Sequence, residues 1–128
     1  MLPAPGLPAG TAPGNLLIET ARLDASGRLT ARTLFRRLGW GAGHRVDIAL
    51  TAGVLVVGSA PAGPHAVADR RELGLPAAAR HMCGITLGPP VLLVAALPHD
   101  VLVVHPAHLI AQMLADRYTA QAGDPDAR

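Results

Sequence analysis

Six arginines fall between positions 22 and 45: Arg22, Arg28, Arg32, Arg36, Arg37 and Arg45, with Asp24 as the one acid among them. A guanidinium stays charged at any working pH and presents a planar fork of donors that matches a phosphate or a guanine edge. Two readings of such a cluster are open from charge alone. It is either an electrostatic footprint for nucleic acid or the solvated face of a helix. The formal net charge of only +2 hides this unevenness, because outside the segment acids outnumber arginines.

Other residue types offer less. His105 and His108 stand three apart at a helix start, yet no acid or cysteine accompanies them at a recognisable zinc spacing. No metal site is expected. His81 and Cys83 are too close in sequence to face one another on a helix, and Cys83 reads as a small buried hydrophobe rather than a nucleophile. The glycine-rich GWGAG run (39–43) is not followed by the Lys-Ser/Thr that a phosphate-binding loop requires. Paired carboxylates are absent as well, so neither an enzyme nor a cofactor is expected.

The elements that carry these residues belong to a chain of 128 residues, enough for one domain or two small units sharing a core. Half the residues are hydrophobic, with one Trp, one Tyr and one Phe. Leu, Val, Ile and Ala must therefore fill the interior. One cysteine excludes an intrachain disulfide framework and fits a reducing compartment. The apolar stretches 48–68 and 81–99 are broken by Gly and Pro and do not read as membrane spans, so a cytoplasmic protein is expected. Residues 1–15, rich in Pro and Gly and without a signal-peptide pattern, read as a disordered leader.

Beyond the leader the chain repeats itself. LGWGAGHRVDIAL (38–50) aligns with CGITLGPPVLLVA (83–95), matching Gly39 to Gly84, Trp40 to Ile85, Gly43 to Gly88 and Val46 to Val91. Upstream, Asp24 falls in register with Asp69. The first copy is one residue shorter between its second strand and its glycine. Each copy predicts a short strand (16–23; 65–68), a polar turn (24–27; 69–72) and a second extended run (28–31; 73–75). A short helix follows (33–38; 76–83), ended by Gly39 or Gly84, and then a β-hairpin. The first repeat spans 16–60 and the second 65–105. Residues 106–118 predict an amphipathic helix with Leu109, Ile110, Met113 and Leu114 on one side, and 119–128 a polar tail.

The motifs Asp24-Ala25-Ser26-Gly27-Arg28-Leu29, Arg36-Arg37-Leu38-Gly39-Trp40 and Gly43-His44-Arg45-Val46 resemble those of the AbrB/SpoVT/MazE swapped-hairpin family. In the second copy Leu75-Pro76, Arg80 and Gly84-Ile85 match the same family's core pattern. The resemblance covers about residues 18–105 and suits the tandem-repeat, MraZ-like arrangement. It implies a mainly β fold with short helices: a swapped-hairpin β-barrel built from two tandem β-β-α-β-β repeats, plus the C-terminal amphipathic helix. It also implies a DNA-binding transcriptional regulator whose partner is double-stranded DNA, and a homo-oligomer in which a dimer through the last helix is one arrangement. By motif match its DNA contacts are Arg28, Arg36 and Arg37, with Arg22 and Arg80 at related positions. Arg32 is added from charge alone.

The second copy departs from the pattern. Its Gly-Arg turn reads Arg71-Glu72, and its Arg-Arg pair reads His81-Met82. The expectation is that the first repeat reads DNA and the second chiefly completes the barrel. The alternative is a protein-interaction or antitoxin-like module that uses the barrel and last helix, with DNA binding weak or lost. A third reading draws on the related pyruvoyl-dependent decarboxylases, which self-cleave at a Gly-Ser bond. Gly58-Ser59 is such a dipeptide but lacks the surrounding motif.

Overall fold

The computed structural model describes residues 4–123, so the ends of the expected leader and tail (1–3 and 124–128) lie outside the described residues. Eight strands and three α-helices are found among them, and the fold is mainly β with a helix at the C-terminal end. The first repeat contributes β1 (Leu16–Ala21), β2 (Arg28–Thr30), α1 (Arg32–Leu38), β3 (Arg45–Thr51) and β4 (Val54–Ser59). The second contributes β5 (His65–Ala66), β6 (Glu72–Gly74), α2 (Ala77–Cys83), β7 (Val91–Ala96) and β8 (Val101–His105), and α3 (Ala107–Ala122) follows.

Strand pairing exchanges the two repeats. Six strands form one open sheet in the order β1-β7-β8-β4-β3-β5, and β2 pairs with β6 in a separate two-stranded sheet. Swapping each strand for its counterpart in the other repeat reverses that order and leaves it unchanged. The topology therefore has a pseudo-twofold axis between β4 and β8 and between β2 and β6. Each repeat's hairpin is flanked by the opening strand of the other repeat, through the pairs β1–β7 and β5–β3. Neither repeat completes its sheet without the other.

The runs VLVV (54–57; 101–104) explain why β4 and β8 occupy the centre. A strand buried on both faces reads as a continuous apolar run rather than an alternation. Leu55, Val57, Leu102 and Val104 point into the main core with Leu29, Phe35, Trp40, Leu73 and Ile85. Val54, Val56, Val101 and Val103 face the other way into a smaller cluster, against which Leu16 and Leu109 pack. Each fully buried Leu or Val contributes about 1.5–3 kcal/mol relative to exposure. Trp40 is fully buried, stacks on Phe35 and His44, and donates its Nε1–H to Asp100 Oδ1 at 2.8 Å. That bond ties the loop after α1 to the turn between β7 and β8, and so one repeat to the other.

Several expected boundaries shift for local reasons. β5 has two residues where four were expected, because Val67 bonds to Gly43 and His44 in the loop before β3 and Ala68 closes its own turn with Glu72. Pro76 has an extended backbone (ψ 138°) and caps α2 instead of starting it. The last helix runs to Ala122, through Ala and Gln residues that favour helix, into what was expected as tail. Residues of the expected disordered leader reach the sheet: a Cβ placed on Gly58 would come within 2.8 Å of Pro5 Cβ.

One register expectation is corrected. In the first turn the Asp24 amide donates to the Arg28 carbonyl and the Gly27 amide to the Asp24 carbonyl. The second turn repeats this pattern with Ala68, Glu72 and Arg71. Asp24 therefore corresponds to Ala68, not Asp69, and Gly27 corresponds to Arg71. The extra residue of the second copy lies after the second strand, where Leu75-Pro76 stands against Ala31 alone. The shared aspartate type at 24 and 69 is coincidental.

Candidate nucleic-acid interface

Helix α1 begins at Arg32, one residue earlier than the sequence suggests, and ends at Gly39 in the left-handed conformation (φ 77°). Leu34 and Phe35 face the core. Arg32 and Arg36, four residues apart, consequently share the opposite, exposed face, with Arg37 beside them. Because the repeats are exchanged, the turn that packs next to α1 comes from the second repeat. Arg32, Arg36, Arg70 and Arg71 line one open cleft of about 460 Å³ in which Asp69 is the only acid.

Within this cleft Arg71 adopts φ 58°, in the left-handed region that Gly27 occupies in the first repeat. For a residue with a Cβ that conformation costs about 1–2 kcal/mol. Arg71 Nη1 donates to the Trp40 carbonyl at 3.4 Å, so the side chain is anchored beside the end of α1.

The pseudo-equivalent position is built from the first turn and α2, and its charges are largely engaged. Asp24 Oδ1 accepts the amides of Ser26 and Arg28, each at 2.9 Å, and Asp24 Oδ2 lies 3.8 Å from Arg28 Nε. The Arg28 amide bond, with help from the Ser26 amide and the Arg28 charge, holds the Asp24 carboxyl below its ordinary value against opposing desolvation. Arg80 donates its Nε–H to the Leu75 carbonyl at 3.0 Å, and its guanidinium lies over Gly27, where an added Cβ would meet Nη2 at 2.9 Å. Helix α2 presents His81 and Met82 where α1 presents Arg36 and Arg37.

The structure thus brings Arg32 and Arg36 together and leaves Arg37 on the adjacent helix surface. It sets Arg28 against Asp24, Arg80 against the first turn, and Arg22 against the Gly88 carbonyl. Sequence reasoning missed Arg70 and Arg71. The signal was available in Asp69-Arg70-Arg71-Glu72, the second repeat's densest run of charge, but its two acids balance its two arginines in any count of net charge.

The remaining chemical candidates have ordinary surroundings. His105 Nδ1 is bonded to the Leu92 carbonyl (3.0 Å) and His108 Nε2 to the Cys83 carbonyl (3.1 Å), so these rings serve different partners. Among the described residues no group of three or more His, Cys, Asp or Glu side chains is placed to hold a metal ion. Cys83 is buried, which pushes its thiol up and away from the reactive thiolate. Gly58 is buried within β4, paired with Asp47 and Val101, and Ser59 Oγ lies 2.7 Å from His44 Nε2. Among the described residues no helix is long and apolar enough to cross a membrane. Comparison with protein-family models, curated proteins and solved structures found no match to this chain.

Proposed function

We propose that this chain is a DNA-binding transcriptional regulator of the AbrB/SpoVT type, and that the arginine cleft beside α1 receives duplex DNA. The observation that carries the reading is the convergence of Arg32, Arg36, Arg70 and Arg71 around a single acid, Asp69. Four guanidiniums at one open surface suit a polyanion such as a phosphate backbone, and the cleft is lined by charged residues rather than by the apolar walls usual for a small ligand. Arg32, Arg36 and Arg37 take the DNA-facing role. Arg22, Arg28 and Arg80, each already bonded within the fold, contribute less. In the same reading the exchanged pairs β1–β7 and β5–β3 support a swapped-hairpin arrangement within one chain, with the six-stranded and two-stranded sheets as its parts. One chain then supplies one strong half-site, and dimerisation supplies operator symmetry.

Selection of bound duplexes from a random pool tests this, using the wild type and an Arg36→Ala/Arg37→Ala variant. The expected result is one motif enriched by the wild type alone. Failure of the wild type to enrich any sequence overturns the reading.

A second reading has its own observation. From Ala111 onward every described residue of α3 is exposed, including Met113, Leu114 and Tyr118. Isolated helical turns of this length are marginal in water. An interaction module working through α3, with weak or absent DNA binding, accounts for that exposure. A self-associating or partner-bound chain without salt-sensitive duplex binding would favour it.

A further inference from the structure

We infer that the second repeat's turn, through Arg70 and above all Arg71, forms part of the anion-binding surface, and that Arg71 binds a backbone phosphate rather than merely completing the fold. The inference deepens the DNA-binding reading and rests on it for the identity of the phosphate. Three observations converge. Arg71 stands at the position that glycine holds in the first repeat, and it tolerates a left-handed backbone to do so (φ 58° against 77° for Gly27). A conformation disfavoured for its residue type persists only where surrounding structure fixes it, and such positions concentrate at binding sites. The turn's backbone bonds, Arg71 N–H to the Ala68 carbonyl and Ala68 N–H to the Glu72 carbonyl, hold that conformation, and the Trp40 carbonyl engages Nη1, leaving the remaining guanidinium donors for another partner. Arg71 also lines the cleft that Arg32, Arg36 and Arg70 line.

Glycine would relieve the backbone and remove the charge, and the fold already accepts it at Gly27. The chain keeps arginine at a site where the conformation argues for glycine. A phosphate contact reads no base, so it positions the duplex and strengthens binding uniformly across sequences. Asp69, in the same cleft, disfavours a second anion close to its own carboxylate and so biases the phosphate toward the α1 side.

The test compares wild type, Arg71→Gly and Arg71→Lys by thermal unfolding, duplex binding over a range of salt, and calorimetric titration with inorganic tripolyphosphate. Arg71→Gly is expected to raise Tm by about 2–4 °C, the relieved strain being partly offset by glycine's greater chain entropy. It is also expected to weaken duplex binding about five- to tenfold at ~100 mM salt and to lower the magnitude of the salt slope by about one. Arg71→Lys should retain the salt slope and lose only part of the affinity, because a lysine is a point charge without the fork. An Arg71→Gly protein that is folded and binds both duplex and tripolyphosphate like wild type overturns the inference. If wild type binds tripolyphosphate through Arg71 but no duplex, the anion site stands and the DNA reading falls. If wild type binds neither probe, both fall.

Discussion

Arg36 extends into solvent from α1, whereas Arg80 lies folded over Gly27 with its Nε–H held by the Leu75 carbonyl. The same side chain therefore has two kinds of consequence. Arg36→Ala is expected to leave stability within about 0.5 kcal/mol, since it removes nothing buried. Its duplex affinity should fall about tenfold at ~100 mM salt, with a salt slope smaller by about one. Arg80→Ala is expected to show the reverse: a loss of about 1 kcal/mol in denaturant unfolding and an unchanged salt slope. Asp24 adds a pH dependence. Its folded-state pKa is depressed, so its stabilising contribution is fully present above the ordinary value of 3.8 and is lost as pH falls below that value through the folded one. Asp24→Asn should lower Tm near neutrality and flatten the acid limb, so that its Tm-against-pH curve converges with that of the wild type below that window. The motif match pointed to Arg28 and Arg80 as readily as to Arg36, because sequence displays charge and not what each charge already touches. Arg71 shows the converse. Its anchor on Trp40 exists only once the second turn is set beside α1.

At the scale of elements, the loop after α1 is pinned by Trp40. Its ring is buried against Phe35 and its Nε1–H reaches Asp100, in the turn between β7 and β8. Trp40→Phe keeps most of the packing and loses the bond, so about 1–2 kcal/mol is expected from chemical denaturation. Trp40→Ala should cost about 3–5 kcal/mol and loosen α1, with its arginines, as well. Helix α3 is a different case. Ending the chain after Ile110 removes no buried residue, and Tm should move by less than about 5 °C. Should α3 hold two copies together, the same truncation halves the mass in solution. Most of these elements were legible: hairpins followed from the VLVV runs and their turns, and both short helices from the glycines that end them. The boundaries that moved did so through contacts absent from the local sequence. One residue mattered for the site, since starting α1 at Arg32 is what puts Arg32 and Arg36 on a shared face.

For the whole molecule, duplication was visible in the residues themselves, whereas exchange entered only as what the family resemblance implied. Alignment of the copies reveals two equivalent units, and it assigns each arginine to the unit that encodes it. The pairing order β1-β7-β8-β4-β3-β5 reassigns them. The arginine cleft is composite, half from α1 of the first repeat and half from the turn of the second. Its pseudo-symmetric counterpart, with Ser26, Gly27, Ala77 and His81 at the matching positions, carries far less free charge. A second repeat poor in arginine along its helix thus still contributes to the cleft through its turn. Under the proposed DNA-binding function, one strong half-site per chain is the expected stoichiometry.

The central claim is that the Arg32/Arg36/Arg70/Arg71 surface binds duplex DNA electrostatically. Fluorescence anisotropy of a labelled duplex, titrated with protein between about 50 and 200 mM salt, tests it most directly. For the wild type the account predicts log K falling linearly with log salt, with a slope of about −3 to −4 for up to four neutralised phosphates. For Arg32→Ala/Arg36→Ala it predicts a slope smaller in magnitude by about two. No duplex binding by the wild type at the lowest salt, or a slope unaltered by removing both arginines, would contradict it.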